Sequence, residues 1–131
     1  MKLNHAASYA IHAMVHIARS KPGVPQASHD IAHKHKIPER FLLKVLKPMV
    51  SAGLLNSVKG PHGGYSLAKQ PSQVSLLDIV EAVDGPIRGQ VAFHADSGDA
   101  KVHKRLLEAC HQVAEQNKKT LAAVKLAQLV K

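Results

Sequence analysis

The sequence predicts a mainly α fold with one small β-hairpin: a winged helix-turn-helix followed by a long C-terminal dimerisation helix. Three observations predict it. Two short amphipathic stretches between residues 28 and 52 are joined by a turn of about three residues, the spacing of a helix-turn-helix. Two strand-like runs follow at once and flank Gly60-Pro61-His62-Gly63-Gly64, which reads as a hairpin. From residue 101 onward, apolar residues recur at helical spacing between Lys, Arg, Glu and Gln.

Each element has its own signals. Ala6, Ala10, Ala13, Met14 and Ile17 mark the buried face of a first helix over residues 5–19. Lys21-Pro22-Gly23-Val24-Pro25 ends it, because proline removes a backbone donor and glycine costs helix entropy. Ser28 is the expected N-cap of a second helix, with Asp30 in its first turn and Ile31 and Ala32 facing inward. That helix ends near His35. Pro38 is expected as the first residue of a third helix, whose stripe is Phe41, Leu42, Val45 and Leu46, and Gly53 closes it. The strands are expected at 54–59 and 65–68. Ser75 and Asp78 form a capping-box start to a fourth helix, which runs from Leu76 to Val83 and stops at Asp84-Gly85-Pro86. Residues 87–100 read as a loop. The long helix is expected over 101–128, with Val102, Leu106, Ala109, Cys110 and Val113 as its dimerisation residues, since one chain offers that stripe little to pack on. The implied organisation is a winged helix-turn-helix DNA-binding domain at 1–86, a loop at 87–100, and the dimerisation helix with a C-terminal segment at 101–131.

Composition narrows the class of partner. Hydrophobic residues make up 45% of the chain but aromatics only 3%, so the core is built from Leu, Ile, Val and Ala. Eighteen Lys and Arg against nine Asp and Glu leave a net charge of +9, a balance that favours polyanions through counterion release. A basic membrane-surface helix would need aromatic anchors that this chain lacks. No apolar run approaches the roughly 20 residues of a membrane span, and no signal-peptide pattern opens the sequence, so no membrane partner and a cytoplasmic, nucleoid-associated location are expected. The one cysteine, Cys110, excludes an internal disulfide and any Cys-rich metal site made by one chain; packing is its expected role.

The candidate DNA contacts follow from this frame. Arg40, Lys44 and Lys47 lie on the third helix outside its apolar stripe, and Lys59 sits at the edge of the hairpin wing. A solvated basic face on a protein-interaction module is the competing explanation. The glycines at 60–64 do not fit a phosphate-cradling nucleotide loop, which needs a following helix and a Lys-Ser/Thr pair. His12 and His16 are four apart, as are His29 and His33, but two ligands do not make a metal site, and no metal or cofactor is expected. His94, His103 and His111 flank the dimerisation region and are candidate sensors. No Ser/His/Asp, Cys/His or paired-carboxylate set is evident, and the chain is not expected to be an enzyme.

Gly60-Pro61-His62-Gly63-Gly64-Tyr65, then Leu67-Ala68, then Leu76-Leu77-Asp78-Ile79-Val80-Glu81-Ala82-Val83-Asp84-Gly85 resemble the Rrf-two family of winged helix-turn-helix transcriptional regulators, the family of IscR, NsrR and CymR. Tyr9-Ala10, Asp30-Ile31-Ala32 and Leu46 through Leu54 agree in order and spacing, so the resemblance covers residues 1–86, and Leu126-Ala127-Gln128-Leu129-Val130 is similar to the family's ending. It implies a bacterial homodimer, crossed by its long helix, that binds an imperfect palindrome; the expected function is that of a DNA-binding repressor or dual regulator under an unknown effector. The DNA contacts it implies are Glu39, Arg40, Phe41 and Lys44 on the helix-turn-helix and Lys59 on the wing; Ser28, Lys47, His62, Gly63, Gly64 and Tyr65 complete the expected DNA-binding set. Two positions depart from the family pattern: Leu43, where a polar base-reading residue can stand, and Lys36, where glycine often takes a left-handed turn. A third departure concerns the sensor, because residues 87–104 contain none of the cysteines that hold an iron-sulfur cluster in other members. The alternative function is a protein-interaction adaptor that keeps the winged-helix fold without binding DNA.

Overall fold

The computed structural model describes residues 1–92 and 98–131; His94, a candidate sensor, lies outside the described residues. Helix α1 (His5–Arg19) starts where the Asn4 side chain accepts the Ala7 N–H at 2.8 Å. It buries Ala7, Ala10, Ala13, Met14 and Ile17, so the small residues let neighbouring helices approach closely. Helices α3 (Glu39–Ser51) and α4 (Leu76–Asp84) pack on it, and α2 (Ser28–His35) and the C-terminal helix α6 (Leu126–Leu129) join them.

Helix α2 (Ser28–His35) differs from the expectation at its start. Ala27 holds the N-cap place with no side-chain cap bond, while the Ser28 hydroxyl donates to Glu39 Oε1 at 2.9 Å. The cause lies one residue upstream. Gln26 is held extended by two backbone bonds with Tyr65, at 2.8 and 2.9 Å, so the helix begins directly after it and Ser28 is already helical. Lys36 ends α2 in the left-handed region at φ 55° and ψ 40°. Ile37 N–H reaches back to the Ala32 carbonyl at 2.9 Å, closing a Schellman motif without glycine.

Helix α3 (Glu39–Ser51) is capped by Pro38, which stands just outside it, and buries Leu42, Val45, Leu46 and Met49. Phe41, expected in that stripe, is 38% exposed, and Leu43 is half-buried against the core instead. Gly53 at φ 77° ends the helix as the sequence predicts, with Leu54 N–H bonded to the Met49 carbonyl at 2.9 Å.

Strands β1 (Leu55–Val58) and β2 (Gly64–Leu67) pair antiparallel with Leu55 opposite Leu67 and Val58 opposite Gly64. A single 3-10 turn at Pro71–Gln73 leads to α4 (Leu76–Asp84), whose Ser75–Asp78 capping box has both reciprocal bonds, at 3.0 and 2.9 Å.

Helix α5 (Ala100–Ala123) is capped by the Asp99 carboxylate and is shorter than the 101–128 expected. The chain turns at Val124, whose carbonyl accepts Leu76 N–H at 2.9 Å, and Leu126 N–H then donates to the Val74 carbonyl at 2.7 Å. Periodicity alone misses this stop, because the break is set by pairing with residues distant in sequence. The short α6 (Leu126–Leu129) places Leu126, fully buried, in the core formed by α1 to α4. No helix among the described residues is long and apolar enough to cross a membrane.

Candidate nucleic-acid interface

The outward face of α3 carries cations around one aromatic ring. Helical geometry sets Arg40, Lys44 and Lys47 on neighbouring turns of one side, opposite Leu42, Leu46 and Met49. The Arg40 guanidinium lies 4.7 Å from the centre of the Phe41 ring and the Lys44 ammonium 5.7 Å from it. Both distances are within reach of cation–π attraction, which orders two long side chains that would otherwise be free. The exposure of Phe41 thus has a local reason. The signal was present in the sequence as cations one before and three after an aromatic residue on a helix.

Glu39 opens α3, and its bond from Ser28 ties the start of α3 to the start of α2. Sequence reasoning did not find this tie, because the two residues are joined only once the helix-turn-helix has formed. Leu43 packs against the core and offers nothing to a ligand.

The wing residues divide by what they touch. Lys59 and His62 are exposed. Gly63, Gly64 and Tyr65 are built into the frame of the hairpin: a Cβ on Gly63 would stand 2.2 Å from the Val58 carbonyl oxygen, and one on Gly64 would stand 2.3 Å from that of Gln26. Tyr65 packs its ring against the core and its backbone against Gln26, so the wing is fixed to the segment that leads into α2. An open cleft of about 310 Å³ lies between these two parts, bordered by Ala27, Ser28 and His29 on one side and by Lys59, Gly63 and Tyr65 on the other. Ser28 and Lys59, far apart in sequence, therefore line one surface with Gly63, Gly64 and Tyr65, while Arg40, Phe41, Lys44 and Lys47 form the adjoining helix face.

A second surface lies on α5. Val102, Leu106 and Val113 are 49%, 50% and 59% exposed, and Ala109, between them at helical spacing, is exposed too. Ala114 and Leu121 are the buried residues of the helix, and Cys110 is half-buried at the edge, where Gly89 sits directly on the Cys110–His111 backbone. His103 is half-buried and His111 exposed. Among the histidines, the unforeseen contact is between His16 Nδ1 of α1 and His35 Nε2 of α2, 3.0 Å apart.

Comparison with known proteins places this architecture. Residues 3–131 match the model of a family described as "Rrf2: Iron-dependent Transcriptional regulator". A helix-turn-helix-type transcriptional regulator of Aquifex aeolicus is 41% identical over 73 residues, covering 56% of this chain. The matched part spans only 50% of that relative's own length. BadM of Rhodopseudomonas palustris, named as a regulator of the same type, is 32% identical over 131 residues, covering 100% of this chain and 82% of BadM. The solved structure of CymR, the global cysteine regulator of B. subtilis, superposes with a TM-score of 0.77 at 25% identity, covering 99% of this chain and 96% of CymR.

The iron named in the family's description requires a set of donor side chains. One half-buried thiol per chain cannot supply the usual thiolate set of an iron-sulfur cluster, and among the described residues no three His, Cys, Asp or Glu side chains are grouped to hold a metal. The described residues of one chain do not fit such a group. The match over nearly the whole chain, the shared helix-turn-helix and the wing lead to one assignment: the chain belongs to the Rrf2 family of transcriptional regulators.

Proposed function

We propose that the protein is a sequence-specific regulator, acting as a repressor, that binds double-stranded DNA as a homodimer on a palindromic operator and uses no iron-sulfur cluster. The observation that carries this is the cationic outer face of α3, where Arg40 and Lys44 are ordered around Phe41. A helix presented in this way fits the major groove, with Arg40 able to pair with a guanine edge and Lys44 and Lys47 with phosphates. The cleft between α2 and the wing suits the sugar-phosphate backbone, held by Lys59 on one wall and by the first turn of α2 on the other.

Dimerisation through Val102, Leu106, Ala109 and Val113 is supported by their exposure on one stripe of α5, which a symmetric copy would cover. CymR and the other superposable regulators lend support through their common fold. The test is selection from a random-sequence duplex library. Enrichment of an imperfect palindrome, bound by two chains, is the expected outcome. A folded dimer that enriches nothing would overturn DNA binding in favour of an adaptor for other proteins.

A further inference from the structure

We propose that His16 and His35 form a proton-sensitive catch between α1 and α2, which holds the helix-turn-helix in its binding geometry near neutral pH and lets it loosen in acid. This rests on the DNA-binding role proposed above only where it concerns DNA; the catch itself is a property of the chain.

The contact joins two neutral imidazoles. At 3.0 Å between His16 Nδ1 and His35 Nε2, one ring donates its N–H and the other accepts it on a bare nitrogen. The rings meet nearly edge to face, with centres 5.1 Å apart, and the Ser20 hydroxyl bonds to the His16 carbonyl, so the turn of α1 that carries His16 is itself pinned. A first added proton goes to an outer nitrogen and leaves the inner N–H···N bond in place. A second turns the inner acceptor into a donor, and two N–H groups then face each other. The bond is lost and two like charges stand in contact.

The surroundings oppose both protons. Burial lowers the pKa of each imidazole first, and Lys34 adds to this at both rings. At His35, the His16 and His12 rings and the Arg19 guanidinium contribute in the same direction. At His16, Gln26 and Asp30 act the other way; Asp30 is also engaged with His29 at 3.2 Å. Since the folded chain holds these pKa values below the unfolded value of about 6.5, the neutral pair's stability is complete above that value. It is lost as pH falls below it towards the folded values.

Position gives the catch its consequence. His35 is the last residue of α2 and directly precedes Lys36, whose left-handed backbone makes the turn into α3. A loosened His35 therefore releases the inner turn of the helix-turn-helix. Charge alone predicts the opposite pH effect on DNA, because ten histidines add positive charge in acid.

The experiment follows the full-length chain, with a chelator present, between pH 7.5 and 5. Ring protons report the titration, and hydrogen exchange, corrected for its intrinsic pH dependence, reports protection of amides 30–37. The expected result is that His16 and His35 titrate in two separate steps below the unfolded value of about 6.5 and that α2 loses protection as the second step begins. In His35→Asn and His16→Asn the pH response should vanish, whereas His12→Ala should keep it. One titration step for both rings at the unfolded value, with flat protection of α2, would overturn the catch. On DNA, affinity for a selected palindrome should fall in acid by up to about tenfold per pH unit for each proton expelled on binding, while affinity for random duplex rises. If both rise together, the catch does not act on recognition. If no duplex is selected at neutral pH, the DNA-binding proposal has failed, and the catch stands or falls on the protection of α2.

Discussion

At Lys36 a long side chain occupies a backbone region that costs an L-residue roughly 1–2 kcal/mol, and the Schellman bonds around it hold it there. Lys36→Gly should therefore raise stability by up to about 1 kcal/mol in urea unfolding; a loss would show that the lysine side chain has a stabilising contact of its own. Gly64 is the reverse case. Its φ of 146° and the 2.3 Å approach of a Cβ to the Gln26 carbonyl leave a side chain no room, so Gly64→Ala should cost about 1–3 kcal/mol and open the link between wing and α2. On the DNA-binding proposal, the charged residues are separated by role rather than by strain. Lys59→Ala should reduce the magnitude of the log-affinity against log-salt slope by about 0.9 per subunit and weaken all sequences alike. Arg40→Ala should relax preference at one base pair by about 1–3 kcal/mol, since a bidentate contact to guanine is sequence-dependent. An identical loss of preference in both variants, with no change of slope for Lys59→Ala, would reverse these assignments.

Among the described elements, α5 carries an apolar stripe that its own chain leaves uncovered. Its inward residues, Ala114 and Leu121, seal against the domain, and Val113 is 59% exposed on the outer side. Val113→Glu should shift the chain to monomer in sedimentation while leaving the melting temperature of the monomer little changed; an undiminished dimer would mean that another face is the interface. A point substitution is the cleaner test, because deleting the helix would also remove α6 and its buried Leu126. The sequence made most elements legible where the signal was local. The Ser75–Asp78 capping box and the Gly53 stop appear in the structure as bonds within a few residues of each other. What could not be read depends on distant partners: the displaced cap at Ser28 is caused by Tyr65, and the end of α5 by Val74 and Leu76. At the candidate interface, Arg40, Lys44 and Lys47 were legible as cations outside an apolar stripe, and Lys59 as a cation at the edge of the wing. The His16–His35 contact was not, because helical spacing within α1 says nothing about which turn of α2 lies opposite.

For the molecule as a whole, one core serves both ends of the chain. Leu126, from the C-terminal segment, is fully buried among residues of α1 to α4, and it is fixed there by the bonds of Val74 and Leu76 to the returning strand of chain. Leu126→Ala should cost about 2–5 kcal/mol, measured as a lower midpoint in urea for the entire cooperative transition rather than for α5 alone. A separate early transition confined to the C-terminus would show instead that the helix-turn-helix half is stable by itself. The same arrangement bears on how the protein is made. Synthesis delivers α3 first and the plug of its core only after α5 has been completed, so a nascent chain stalled within α5 carries the candidate interface on a module with an open apolar socket. Such a fragment exposes apolar surface of the kind that draws chaperones and proteases. On the function proposed above, DNA binding is thereby coupled to translation of the chain through Leu126.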